Sequence, residues 1–111
     1  MASVPERGDV VWIHFSQTDE QKSDHRQPGL VISPAVYNQK AGLVLICPIT
    51  RSVKGYPFEV IIPEGYAISG AVLSDQVFCL NWMTSSLVLE FQAPSSIVEE
   101  VLSKLNTLTC V

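Results

Sequence analysis

The apolar pattern of this chain changes period once, at Pro94, and that single change limits what the chain can fold into. Beyond Pro94, Ile97, Val98, Val101, Leu102, Leu105 and Leu108 recur at helical spacing, with Glu99, Glu100, Ser103 and Lys104 between them. Before Pro94 the apolar residues fall in short β-branched or aromatic runs, broken by Gly, Pro and polar residues, which is the mark of strands. A helical stripe and a set of short strands each need a partner to bury against, so the helix is expected to cover the sheet.

Val10 to Phe15 follows the Gly8-Asp9 turn signal and reads as the first strand. Residues 16–27 hold no large apolar side chain, and a polar connection of that length usually carries function. Gly29 to Ser33 reads as a second strand ended by Pro34, and Ala35 to Lys40 as one helical turn before Gly42. Leu43 to Ile49 is a third strand, followed by the polar loop Thr50 to Gly55. Phe58 to Ile62 is a fourth, and Gly70 to Val77 runs on into Phe78 to Trp82 as strand and continuation. In Ser86 to Phe91 the alternation puts Leu87, Leu89 and Phe91 on one face. Ser96 and Glu99 form a capping-box pattern, although Pro94 as a first helical residue would start the helix earlier. The expected fold is α+β, mostly β: one domain over residues 1–111, a small closed or half-closed β-barrel with a C-terminal helix.

Composition narrows the class. Hydrophobic residues make up 47% and charged residues 16%, too apolar for a disordered chain. No window nears the roughly 18 uninterrupted apolar residues of a membrane span. The Met1 to Arg7 segment lacks the order of a signal peptide, so a cytoplasmic protein with no membrane role is expected. Cys47, Cys79 and Cys110 are odd in number and lack metal-ligand spacing, which suits free thiols in a reducing compartment. The net charge of −4 argues against a general polyanion binder, but the charge is unevenly spread. Residues 1–55 carry +1 and residues 56–111 carry −5, so contact with phosphate is expected from the first half.

Five segments in order carry a resemblance. They are Gly8-Asp9-Val10-Val11-Trp12; Pro28 to Pro34 with Tyr37-Asn38; Cys47-Pro48-Ile49-Thr50; Lys54-Gly55-Tyr56-Pro57-Phe58-Glu59-Val60; and Gly70 to Val77. Together they resemble the MazF/PemK (Kid-like) toxins and imply a CcdB/MazF-like, SH3-like barrel. The resemblance implies a cofactor-free, metal-independent endoribonuclease that cuts single-stranded mRNA at a short sequence. It also implies a homodimer, silenced by the C-terminal segment of a MazE/PemI-like antitoxin, and operator DNA as a target of the toxin–antitoxin complex. Two other readings on the same barrel are a binding module without cleavage and a gyrase-poison type of toxin.

Metal-free RNA cleavage needs a base for the attacking 2′-hydroxyl, an acid for the leaving oxygen, and donors for the developing charge. The family's catalytic Arg precedes the Pro that opens strand two. Here Gln27 holds the slot before Pro28, and Arg26 is one place upstream. Equal spacing from Gly8 to Pro28 assigns the slot to Gln27. Treating Gln27 as an insertion instead matches Glu20 and His25-Arg26 to the family's Glu and His-Arg. In that second alignment Arg26 is catalytic, Glu20 is its acid–base partner and His25 shares proton transfer. By the same resemblance Thr50 contacts the scissile phosphate and Asp75 lies near the cleft. Arg51, Ser52 and Lys54 add two cations and a hydroxyl for the substrate. After Asp75-Gln76 the family's usual Lys and Arg residues are missing, which predicts fewer phosphate contacts.

Overall fold

A computed structural model describes residues 3–14 and 26–109. Its strands are β1 (Asp9–His14), β2 (Arg26–Val31), β3 (Leu43–Thr50), β4 (Glu59–Ile61), β5 (Ala71–Leu73), β6 (Phe78–Asn81) and β7 (Ser86–Gln92). Two helices, α1 (Ala35–Ala41) and α2 (Ser95–Thr109), complete the chain. The sheet runs β4-β5-β3-β2-β1-β7, every pair antiparallel, with β6 laid on β3. The two ends of that order are not hydrogen-bonded to each other, so the barrel is half-closed, and α2 packs beside β4.

The middle strands bury both faces, which explains why Leu43 to Cys47 is one unbroken apolar run and not an alternating one. On one face Val10, Leu30, Cys47, Ile49, Val60 and Val72 form a core closed by Ile97, Val98 and Val101 of α2. On the other, Val11, Ile13, Val31, Val44 and Ile46 pack with Trp82. Each such fully buried aliphatic side chain contributes roughly 1.5–3 kcal/mol of transfer free energy. Gly29 lets β2 and β3 approach closely: a Cβ there would meet Ile46 Cγ2 at 2.4 Å. Asn38 of α1 is fully buried and donates to the Pro5 and Ser33 carbonyls at 2.8 and 3.0 Å. The Trp82 indole N–H donates to the Asn38 carbonyl at 2.7 Å, tying α1 to the second core.

Four expectations are corrected. The second strand begins at Arg26 and ends at Val31, not at Gly29 and Ser33. Pro28 is tolerated inside it because the β2–β3 ladder begins only at Gly29, so no N–H is needed from Pro28 on that side. The stretch from Gly70 to Trp82 is not one continued strand. β5 pairs with the end of β3 and β6 with its start, separated by a turn that Ser74 anchors through its N–H and hydroxyl on the Phe58 carbonyl. Leu87 and Leu89 share the face of Ile13 and Val11 but Phe91 does not, because the register slips between Val11–Leu89 and Val10–Phe91 and leaves Glu90 as the extra residue of a bulge. Leu87 packs into the second core, Phe91 into the first, and Leu89 is exposed. Finally, Ser95 opens α2 and Pro94 accepts its first N–H bonds, from Ile97 and Val98, so Ser96 is helical and is not the cap.

Candidate functional site

The polar residues that leave β3 are ordered by bonds within their own stretch of chain. Thr50 is half-buried and pairs with Ala71 at the strand end. Its hydroxyl accepts the Ser52 N–H at 3.0 Å, which turns the chain out of the sheet. Gly70 makes the crossing possible, since its φ of +124° is open to glycine and a Cβ there would lie 2.0 Å from the Thr50 carbonyl oxygen. Three successive backbone N–H groups, of Lys54, Gly55 and Tyr56, then point at the Glu59 carboxylate at 3.0 to 3.2 Å. Glu59 is only 9% exposed, and its own N–H returns to the Tyr56 carbonyl at 3.0 Å. A buried charge is thereby matched by a ring of donors, each worth about 1.5–3 kcal/mol against a charged partner.

From this loop the Tyr56 hydroxyl donates to Asp75 Oδ2 at 2.7 Å. That hydrogen bond first, then the Asp75 charge, raises the Tyr56 pKa and keeps the phenol protonated. The second oxygen, Oδ1, is shielded from solvent and has no hydrogen-bond partner among the described residues. Burial, and then the same Asp75 charge, pushes the Cys47 thiol from 9.0 up to about 12, so Cys47 is an inert core thiol at neutral pH.

Thr50, Ser52, Lys54, Tyr56 and Glu59 line one cavity of about 360 Å³ with Leu73 and Gln76. Of the three hydroxyls here, that of Tyr56 is given to Asp75, and the Glu59 carboxylate is taken up by backbone N–H groups. That leaves the Thr50 and Ser52 hydroxyls, an ammonium and an amide as a donor set suited to an anion such as phosphate. Arg51 is exposed and does not line it, and Asp75 reaches it only through Tyr56. Tyr56, Glu59 and Gln76 were not singled out from sequence. Lys54 to Glu59 reads as a loop entering a strand, and nothing in its spacing shows an acid gathering the N–H groups that precede it. A larger cavity, about 570 Å³, lies between the N-terminal segment and β7; its lining is mostly apolar and includes none of the expected site residues.

Arg26 and Gln27, expected in a loop, lie inside β2, opposite His14 and Ile13. Their side chains therefore leave opposite faces of the sheet. The Arg26 guanidinium lies 3.8 Å above the centre of the Trp12 ring, on the face of Val10 and Leu30. The Trp12 N–H donates to Glu90 Oε1 at 3.0 Å, and it is the β7 bulge that aims Glu90 there. Gln27 shares its face with Val31, and Thr50 shares that same face with Val44 and Ile46. The β2–β3 ladder stops at Gly29–Pro48, and the same register aligns Gln27 with Thr50 two residues further on. The β1–β2 register is unbroken from Val10–Leu30 to His14–Arg26, with no bulge at Gln27. Glu20 and His25 lie outside the described residues.

Residues 6–109 match the profile of the PemK-like, MazF-like toxins of type II toxin–antitoxin systems. The chain belongs to this family. It is 33% identical over 105 residues to the endoribonuclease toxin MazF of Escherichia coli K12, covering 95% of this chain and 94% of the relative. Among solved structures, MazF in a MazE–MazF crystal from Deinococcus radiodurans superposes with a TM-score of 0.87 at 39% identity, over 97% of each chain. A mycobacterial endoribonuclease solved with its cognate antitoxin shares the fold at TM-score 0.74 and 18% identity, over 97% of this chain and 95% of that one. As a MazF-like chain, the protein keeps the half-closed barrel and C-terminal helix and holds its donor-lined hollow at the β3–β4 end of the sheet.

Proposed function

We propose that this protein is the endoribonuclease toxin of a toxin–antitoxin pair, a single MazF/PemK-like domain acting in the cytoplasm on single-stranded mRNA. The reading follows the MazF relatives, and one local observation carries it: Thr50, Ser52, Lys54 and Tyr56 converge on one hollow. In the proposed reaction a base takes the proton of a 2′-hydroxyl, whose oxygen bonds to the adjacent phosphorus. The bond from phosphorus to the 5′-oxygen breaks, that oxygen gains a proton, and a cyclic phosphate and a 5′-hydroxyl remain. Thr50 and Ser52 donate to the phosphoryl oxygens while Lys54, with Arg51 outside the hollow, offsets their charge. Gln27, on Thr50's face, supplies a neutral amide where the family has Arg. Glu20 and His25 are the proton-transfer partners only in the alignment that makes Arg26 catalytic; in either alignment Asp75 acts by holding the Tyr56 hydroxyl. With Gln27 in that slot Arg26 takes no part in the chemistry of this reading; its guanidinium rests on Trp12.

The same reading makes the protein a homodimer, inhibited by the C-terminal segment of a MazE-like antitoxin, with operator DNA bound by the pair. The MazE–MazF crystals of D. radiodurans support the antitoxin partner. Incubating a long single-stranded RNA with the protein in EDTA is expected to release fragments ending in a cyclic phosphate. No cut at high protein concentration sinks the nuclease reading. Thr50→Val is expected to lower kcat at least tenfold, and Gln27→Ala to lower it more than Arg26→Ala. The reverse order would return Arg26 to the scissile phosphate.

A second reading, a MazF-like module that binds without cutting, is favoured by one observation. The guanidinium that the resemblance assigns to the phosphate is docked on an indole, on the other face of the sheet from Thr50. Antitoxin binding without RNA cleavage is its signature.

A further inference from the structure

The Trp12–Arg26 pair is not used by the chemistry above, yet it is built with care. Trp12 is half-buried, its body packed on the first core and its N–H fixed by Glu90 at 3.0 Å. Arg26 is exposed and lays its guanidinium 3.8 Å over the ring. The indole thus holds a flat, weakly hydrated cation at the surface. The pair also stands at the end of the sheet where Thr50 lies, because His14 ends β1, Arg26 begins β2 and Thr50 ends β3.

Two classes of group could meet such a cation: the phosphate of a nucleic acid or the face of a base. Glu90 decides between them. Its carboxylate is held against the edge of the same indole, where its charge repels phosphate and leaves the uncharged face of a base indifferent. Guanidinium planes and aromatic rings are the surfaces on which unpaired bases stack. We propose that Trp12 and Arg26 form a stacking ledge for one nucleobase of single-stranded RNA, outside the Thr50–Lys54 hollow. Trp12 and Glu90 position the ledge, and Arg26 touches the base. Such a ledge supplies affinity by stacking in a chain whose second half holds a single cation, Lys104.

The inference takes its ligand class from the RNA-cleaving reading, so binding is measured apart from cleavage. The probes are two single strands of about twelve 2′-O-methyl nucleotides, one with its bases and one wholly abasic, equal in phosphate number and uncleavable. Fluorescence anisotropy is expected to show the base-bearing strand bound about tenfold tighter by the full chain, the size of one good stack. Arg26→Lys keeps the charge and removes the plane, and is expected to shrink that ratio to about twofold or less. Trp12→Leu should do the same. Equal binding of both strands by the unaltered protein, no binding of either, or a ratio unchanged in Arg26→Lys would each overturn the ledge. A ratio that behaves as expected alongside failure to cut RNA in EDTA would refute only the nuclease reading.

Discussion

The loop from Thr50 to Glu59 and the strand pair carrying Trp12 and Arg26 both end in polar groups at the surface, but they are held by opposite means. The loop's turn is ordered from within: the hydrogen bonds onto Thr50 and Glu59 that shape it span five residues or fewer, and all three N–H groups of the turn meet one carboxylate. Asp75, Ser74 and Lys104 tie Tyr56, Phe58 and Pro57 to the rest of the fold. The strand pair is ordered from without: Trp12 is fixed by an acid 78 residues away, on a strand displaced by a bulge. A site held locally forms wherever its segment goes. A site held by distant partners exists only after the sheet has closed.

The sharpest way to break this comparison is Glu59→Gln. It removes the charge that three N–H groups share, and is expected to cost about 3 kcal/mol of stability in urea denaturation and to open the Lys54–Tyr56 turn. A loss under about 1 kcal/mol would mean that the loop does not depend on its clamp. Next in size is Gly29→Ala, which attacks the strand pair at its base. The added Cβ collides with Ile46, so a loss of about 2 kcal/mol is expected from overpacking. An unchanged denaturation midpoint would show that β2 and β3 can separate freely.

Smaller still is the coupling between Trp12 and Arg26. A double-mutant cycle with Trp12→Ala and Arg26→Ala should return about 0.5–1 kcal/mol, the range of an exposed cation–π pair. Coupling near zero would mean that the ring does not hold the guanidinium in solution. The last effect is silent at neutral pH. The folded Cys47 thiol is raised from 9.0 to about 12, so its contribution is complete below about pH 9 and declines as pH rises toward 12. Cys47→Val should flatten that part of the stability–pH curve, and an equal slope in both proteins would place the alkaline loss elsewhere. At pH 8, alkylation followed by peptide mapping should mark the exposed Cys79 and spare Cys47.

Legibility in the sequence followed the same division. Thr50, Ser52 and Lys54 were readable as one cluster because they are neighbours in the chain, and they do line one cavity. The ordered segments carried the fold because strands, turns and the helix after Pro94 are set by local composition. The clamp by Glu59 was hidden because an acid entering a strand looks the same whether it faces water or a ring of N–H groups. The grouping of Leu87, Leu89 and Phe91 failed for a related reason: alternation assumes an even register, and one extra residue reverses it.

By itself, then, the chain's sequence determined a small β-barrel, closed or half-closed, under a terminal helix, its family, and the hydroxyls and lysine at the end of β3. Tertiary structure decided the rest: that Arg26 and Gln27 belong to a strand, that they leave it on opposite faces, and that Trp12 takes the guanidinium. The reason is physical. Local propensity and period act over a few residues, whereas the face a side chain takes and the partner it meets depend on register between strands distant in sequence.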